Sequence, residues 1–333
     1  MAFLLNQLHI GVGGSRKPGS SIVHRVFQGD VRVTTRQVKR KVDNAAGGGD
    51  DGEEEDDRLG SGDEEDELNK DAEMKMEPQV EMEETDSDTQ FLQLTLDIPE
   101  KPLFRDQDGG LVIPQEPLVS VLKKFDGTTF CDAVSRSGVA QRKRYRLRRL
   151  PDYLILHLTR FKTNKYSREK NPTIVAFPVK NLDLSNYVHR GEEGATTNGN
   201  SKPPSEEEIR KMSVKELKRL LKSYGRSDIG ESVVEKEELV SKTVDFVAKS
   251  LPDLLNDRYD LVANITHESP PDVGREGTGY DPLQVGSYKC HVQHRGTKQW
   301  YEMQDLHVQE IMPQQIGLSE SYLLIFERKS VQK

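Results

Sequence analysis

Two thiols, Cys131 and Cys290, and the histidines at positions 291, 294 and 307 are the residues whose types could carry catalysis or hold a metal. A cysteine nucleophile needs its thiolate form, stabilised by a neighbouring imidazole or a helix N-terminus. Cys131 lies in FDGTTFCDAV beside Asp132, a charge of the wrong sign for that purpose. Cys290 is followed by His291, but neighbours on a strand point to opposite faces. Both therefore read as structural thiols. His291 and His294 sit three apart on an expected strand, with His307 further on; a metal site is the alternative, and surface histidines are the reading taken. No GxSxG elbow, GxxxxGK[ST] loop or HExxH helix occurs. Two cysteines cannot build a disulfide framework or a four-cysteine zinc site. Neither a cofactor nor a metal is expected.

A second group offers binding rather than bond-making. Arg142, Lys143, Arg144, Arg146, Arg148 and Arg149 place six cations in eight positions, with Tyr145 among them. Such density fits a phosphate-binding edge or a nuclear-localisation element, and alternatively a solvated face ahead of a buried strand. The formal net charge of -8 conceals it. Between Asp50 and Asp88 there are 20 acidic and three basic residues, a net of -17, so the rest of the chain carries +9. A basic body points to nucleic acid or an acidic protein as partner. No stretch approaches the length of a membrane-spanning helix, and no membrane partner is expected.

The elements that must position these groups are readable in part. Residues 41–90 are expected to be a disordered acidic insert, because low hydrophobicity and charge of one sign bury too little to offset ordering. Such an arm would bind a basic partner, fold back on the basic body, or only aid solubility. Phe91 to Ile98 reads as a strand ending at Pro99, and Leu118 to Phe125 carries a helical period. Tyr153 to Leu158 is almost continuously apolar and predicts a strand buried on both faces. Shorter extended runs follow at 173–177 and 182–184. Residues 189–204 form a linker rich in Gly, Asn, Thr and Pro. The period then turns helical. Ser213 to Glu216 is a capping box opening a helix with Val214, Leu217, Leu220, Leu221 and Tyr224 on one face and Gly225 as its stop. A second box, Ser232 to Glu235, predicts another helix with Leu239, Val240, Val244 and Val247 inward. Strands return at 259–266, 287–294, 300–303 and 322–326. The expected class is α+β with a helical hairpin inserted in a β-rich domain.

Taken in order, several boxes resemble the ubiquitin-specific protease family: FQGDVRV (27–33), RLPDYLILHLTRF (149–161), NPTIVAFPVKNLDLSNYV (171–188), YDLVANITHES (259–269), VGSYKCHVQ (285–293) and QWYEMQDLHV (299–308). FLLNQLHIGVGG near the start, LQLTLDIPEKPLF (92–104) and LVIPQEPLVSVLKKFDG (111–127) are similar to a splicing-associated branch found with the spliceosomal tri-snRNP. The resemblance implies a papain-like palm and fingers portion whose N-terminal thumb and nucleophile box are missing, so that Met1 is expected to begin an incomplete domain. It divides the chain into the start of that domain (1–40), the acidic insert (41–90), core (91–188), linker plus helical insert (189–258, with the helices at 205–250) and C-terminal sheet (259–329).

Where the family carries Gly-His-Tyr, this chain has Gly286-Ser287-Tyr288. A serine hydroxyl does not titrate near neutrality and cannot replace the imidazole base that activates a thiol. The family's imidazole-orienting position falls on Gln304, with Asp305 adjacent, and the paired cysteines of the family's zinc-binding fingers are absent. By resemblance the chain is expected to be a non-catalytic scaffold in pre-mRNA splicing, nuclear, contacting tri-snRNP proteins, with ubiquitin and RNA as further candidate partners. Two alternatives stand beside it. One is a cysteine-type deubiquitinase whose nucleophile box lies outside this chain. The other is a nucleic-acid-binding protein acting through the helical insert, which resembles a SAP module and places Lys211, Lys215, Lys218, Arg219 and Lys222 near one another.

Overall fold

The computed structural model describes residues 1–39, 81–189 and 204–330, apart from positions 16, 18, 101–103, 106, 108–110, 136–137, 164–167, 225, 234, 270–280 and 282–283. Its main strands are β1 (Gly29–Lys39), β2 (Glu81–Phe91), β3 (Leu94–Asp97), β4 (Asp126–Val134), β5 (Ala140–Arg149), β6 (Tyr153–Thr159), β7 (Arg258–Glu268), β8 (Ser287–Gln293), β9 (Trp300–Gln304), β10 (His307–Ile311) and β11 (Ser321–Arg328). Helices α1 (Ala2–Gly11) and α2 (Ile22–Phe27) come first and α3 (Leu118–Leu122) lies ahead of β4. A run of five follows the linker: α4 (Glu206–Lys211), α5 (Val214–Ser223), α6 (Ser227–Ser232), α7 (Lys236–Asp245) and α8 (Leu251–Leu255). The class is α+β, as expected. Among the described residues no helix is long and apolar enough to cross a membrane.

The larger sheet runs β10-β9-β8-β7-β11-β6-β3, antiparallel throughout except for the parallel pair β6–β3, with Leu182–Asp183 added beside β7. The apolar run of β6 earns its place near the middle, because Leu154, Ile155, Leu156 and Leu158 are all buried. On one face Leu154, Leu156 and Leu158 join Leu96, Leu118, Leu122, Trp300 and Phe326 in the main core. On the other, Ile155 and Leu323 pack with Leu5 of α1 and Val23 of α2. A second sheet, ordered β2-β1-β5-β4, is antiparallel and rooted in the same core through Val31 and Leu147.

Three expectations change. Residues 81–90, assigned to the disordered insert, form most of β2, in register with all of β1 from Gly29↔Phe91 to Lys39↔Glu81. Cross-strand charge reinforces this backbone ladder: Arg32 Nε and Nη2 hold Asp88 at 2.8 and 3.0 Å, and Arg36 Nε holds Glu84 at 2.9 Å. The rest of that insert, 41–80, lies outside the described residues. The single strand expected over 91–98 is broken, since Phe91 ends β2 and β3 starts at Leu94; Leu92 packs toward α1 and α2 while Leu94 and Leu96 enter the main core.

The helical insert is also richer than a hairpin. Its helices close a separate core of Ile209, Leu217, Leu221, Val233, Leu239, Val240, Phe246 and Leu251. The box at Ser213 forms as expected, with Ser213 Oγ accepting from the Glu216 amide at 3.3 Å and Glu216 accepting from the Ser213 amide at 2.7 Å. Ser205 and Glu208 make a further box at α4. The box expected at Ser232 does not form: Ser232 closes α6, its hydroxyl donates to the Ile229 carbonyl at 3.1 Å, and α7 starts after Glu235 without a side-chain cap. Gly225 lies outside the described residues.

Candidate functional site

Strands β7, β8 and β9 lie side by side and bring Ser287 and Gln304 together. Ser287 opens β8 opposite Glu268, and Gln304 closes β9. Gln304 Nε2 donates to Ser287 Oγ at 2.9 Å. An amide donor on a hydroxyl acceptor holds geometry but supplies no base, since neither group changes protonation near neutrality. Asp305 sits in the exposed turn that joins β9 to β10, with φ of +52°.

Tyr288, next along β8, turns to the opposite side of the sheet. There it meets the ring of His267 edge-on at 4.8 Å, and His267 in turn meets Phe161 at 5.2 Å. Tyr322 joins Phe161 and His157 at 5.9 and 4.9 Å. Burial, helped by the nearby Lys170 cation, pushes the His267 imidazole below its usual range, so it stays neutral at physiological pH. Lys170 Nζ donates to the His267 carbonyl at 2.6 Å and to Ser269 Oγ at 3.1 Å, and pairs with Glu320. Arg160 is fully buried at the end of β6, donating to the carbonyls of Ser321, Asn171 and Thr173. Burial lowers its pKa to about 10, so it remains charged. No local pattern of residue types marks Phe161, His267 or Tyr322, although the boxes at 149–161 and 259–269 contain the first two.

The two thiols lie on different sheets. Cys131 is on β4 in the other sheet and Cys290 is half-buried on β8, both unbridged. Burial raises the Cys290 thiol above its ordinary value, which opposes nucleophilicity. His291 is not a surface histidine: it is 2% exposed and lies in a polar row across three strands. Asn264 Nδ2 donates to His291 Nδ1 at 3.3 Å, and His291 Nε2 donates to Glu302 Oε2 at 3.1 Å. Burial works against ionised Glu302, but the hydrogen bonds from His291 and Gln309 and the charge of Lys289 hold its pKa below the usual value. His294 bonds Thr297, and His307 is exposed on β10. No cluster of three or more metal-ligating side chains occurs among the described residues.

The basic run occupies β5, where its members find partners inside the chain. Arg149 pairs with Asp30 at 2.7 Å, Arg144 with Glu84 at 3.2 Å and Arg142 with Asp132 at 3.5 Å. Arg146 donates to the Gly127 carbonyl and Arg148 to that of His189. Lys143 lies between Thr35 and Cys131 in register. In the insert, Lys215, Lys218, Arg219 and Lys222 are exposed on α5 at spacings of three, four and seven, one face of a helix. Leu217 and Leu221 fill the opposite side.

The sequence pattern of the ubiquitin carboxyl-terminal hydrolase family matches residues 1–326, and the chain belongs to that family. Among individual relatives, it is 32% identical over 329 residues to "Ubiquitin carboxyl-terminal hydrolase 39" of Mus musculus and of Homo sapiens, covering 99% of this chain and 41% of each relative. It is 27% identical over 334 residues to "Probable mRNA-splicing protein ubp10" of Schizosaccharomyces pombe, covering 99% of this chain and 47% of that one. The chain thus spans less than half the length of these curated relatives. Among solved structures, the Ubp8-Sgf11-Sgf73-Sus1 SAGA DUB module aligns over 99% of this chain and 47% of the matched one, at 17% identity and a TM-score of 0.48.

Proposed function

We propose that this chain is a non-catalytic member of the family that acts as a nuclear scaffold in pre-mRNA splicing and contacts tri-snRNP proteins. The observation that carries the chemical half is the Ser287–Gln304 hydrogen bond. At the place where the family resemblance puts an imidazole and its orienting residue, this chain puts a hydroxyl tied to an amide. The two positions still recognise each other, as a structural corner would, and the general base is replaced. The splicing half is supported by the relative named as an mRNA-splicing protein. A nucleophile outside this chain would still meet Ser287, which weighs against the deubiquitinase alternative.

Two measurements test the two halves separately. The chain is expected to leave a fluorogenic ubiquitin amide uncleaved at every protein concentration; turnover abolished by substituting either cysteine refutes the chemical half. Tagged chain recovered from nuclear extract is expected to enrich tri-snRNP small nuclear RNAs, and their absence from a folded, recovered protein refutes the scaffold half. A second reading, nucleic-acid binding by the helical insert, is favoured by the exposed stripe Lys215–Lys218–Arg219–Lys222 on α5. It predicts duplex or single-strand binding with a steep salt dependence that Lys215→Gln, Lys218→Gln and Lys222→Gln together abolish.

A further inference from the structure

The β2-β1-β5-β4 sheet has one face made almost entirely of charge. Three cross-strand rows build it: Asp88–Arg32–Arg146–Asp126, Asp86–Thr34–Arg144–Phe130 and Glu84–Arg36–Arg142–Asp132. Residues directly opposite each other share a face, and so do alternate residues along a strand. Five arginines on the inner strands therefore stand between three carboxylates on β2 and two on β4. Three of the guanidiniums gather over one ring, with Arg36, Arg144 and Arg142 at 4.2, 5.0 and 5.8 Å from the Phe130 centroid. The apolar side chains of these strands, Val31, Val33, Tyr145 and Leu147, have the other parity and go to the core. The arginine face is thus the outer one.

The β2 strand contributes little besides charge to this arrangement. Residues 84–90 are exposed along their whole length, and among the described side chains of the strand Phe91 alone is partly buried in the core. Its carboxylates alternate, about 6.6 Å apart from a rise of about 3.3 Å per residue. Asp88 and Glu84 take guanidiniums directly, and Asp86 acts on Arg146. Arg146 needs such compensation, since the neighbouring Arg144 and Arg32 charges add to burial in disfavouring its cation. A row of anions at that repeat is what successive phosphates present along an extended single strand. Arginine and an aromatic ring on a sheet are the groups that hold such a strand.

We propose that the arginine face of β1 and β5 is a binding site for the phosphate backbone of single-stranded RNA, and that β2 is a cis competitor that offsets most of its charge. With Glu84, Asp86 and Asp88 in place the five arginines of the three rows meet five carboxylates, and Arg148, which also acts on Asp88, adds one further cation. Without those three carboxylates the face carries +4. RNA must outcompete the carboxylates, so affinity in the intact chain is weak and salt-sensitive, and specificity passes to whatever neutralises β2. The inference is independent of the non-catalytic reading: ubiquitin hydrolysis and tri-snRNP recovery can fail without affecting it.

The test is fluorescence anisotropy of a labelled single-stranded RNA against the full chain and its Glu84→Gln/Asp86→Asn/Asp88→Asn variant. The variant is expected to bind about tenfold tighter at low salt. Its slope of log K against log salt should steepen by about 2, three further phosphates at about 0.7 each. Adding Arg36→Gln and Arg142→Gln, both at exposed positions, should remove the gain, whereas adding Lys215→Gln, Lys218→Gln and Lys222→Gln should leave it intact. Equal binding by wild type and variant overturns the proposal, as does a gain that survives loss of the arginines or follows the α5 lysines. A labelled polyglutamate peptide that gains affinity in place of RNA overturns the ligand class. Should the triple variant fail to fold, wild type and Arg36→Gln/Arg142→Gln are compared at low salt, and equal RNA binding there refutes the site.

Discussion

Gly286, the residue ahead of Ser287, offers the sharpest test of how the corner is built. It holds φ at +145°, and a Cβ placed on it would come within 2.5 Å of the Glu268 carbonyl oxygen and 2.8 Å of His267 Cε1. The nearest of these contacts is backbone of a central strand, and the imidazole is boxed between Phe161 and Tyr288. Neither neighbour can yield cheaply. Gly286→Ala therefore incurs two costs, about 1–2 kcal/mol for a side chain at positive φ and about 1–3 kcal/mol for overpacking. Gly13 supplies a reference for positive φ without crowding, since its φ is +76° with nothing within 4 Å of an added Cβ, and φ of +145° at Gly286 is at least as costly for an alanine. At about 2–4 °C per kcal/mol for a chain of this size, Gly13→Ala should lower the melting temperature by about 2–8 °C. Gly286→Ala should lower it by a further 2–12 °C or so. Differential scanning fluorimetry on both variants measures the gap. Equal melting temperatures would refute the steric account and leave backbone conformation as the whole effect.

Leu217→Ala should cost about 2–5 kcal/mol, and because the core around Leu217 contains only residues of the insert, hydrogen exchange should rise across 206–255 and not in β6 or β11. Equal exchange in the insert and the large sheet would contradict a self-contained insert. Acid should destabilise the chain, since His24, His157 and His267 all have pKa values lowered from 6.5, chiefly by burial. The unfolded state then takes up protons first, so this stability is complete above about pH 6.5 and is lost as pH falls through the depressed folded values. Urea midpoints at pH 7.5 and pH 5 check it, and a flat profile would count against it. Arg160→Met keeps volume but strands three carbonyls that now accept from the guanidinium; a loss of about 3 kcal/mol or more is expected in urea unfolding, and a neutral result would show that water replaces the donor.

What the sequence made legible was what local pattern determines. The apolar run of β6 is buried on both faces because Leu154, Ile155, Leu156 and Leu158 place large nonpolar side chains on each of them. Ser213 and Glu216 cap α5 because both partners of the motif lie within one turn. The same pattern misleads at Ser232, where α6 ends on the serine before it can cap α7. β2 was hidden for a different reason. Its acidic composition reads as disorder until Arg32, Arg36 and Arg144 are brought alongside, and those partners lie about 50 residues before it and 60 after it. His291 was misplaced likewise, since Asn264 and Glu302 reach it from two other strands. The family boxes contain Ser287 and Gln304, but their hydrogen bond is visible only once β8 and β9 lie side by side.

The place of β11 has a consequence for how the chain is made. This strand, residues 321–328, lies inside the large sheet, bonded to β7 on one side and β6 on the other. Until it is synthesised, β6 and β7 have no partner between them, and the nascent chain exposes two long apolar edges that must not find each other or a neighbour. The large sheet is therefore completed after translation has passed residue 328, with the insert free to fold earlier on its own core. A ribosome that stalls before that point leaves a chain whose sheet still lacks an inner strand, a natural client for chaperones.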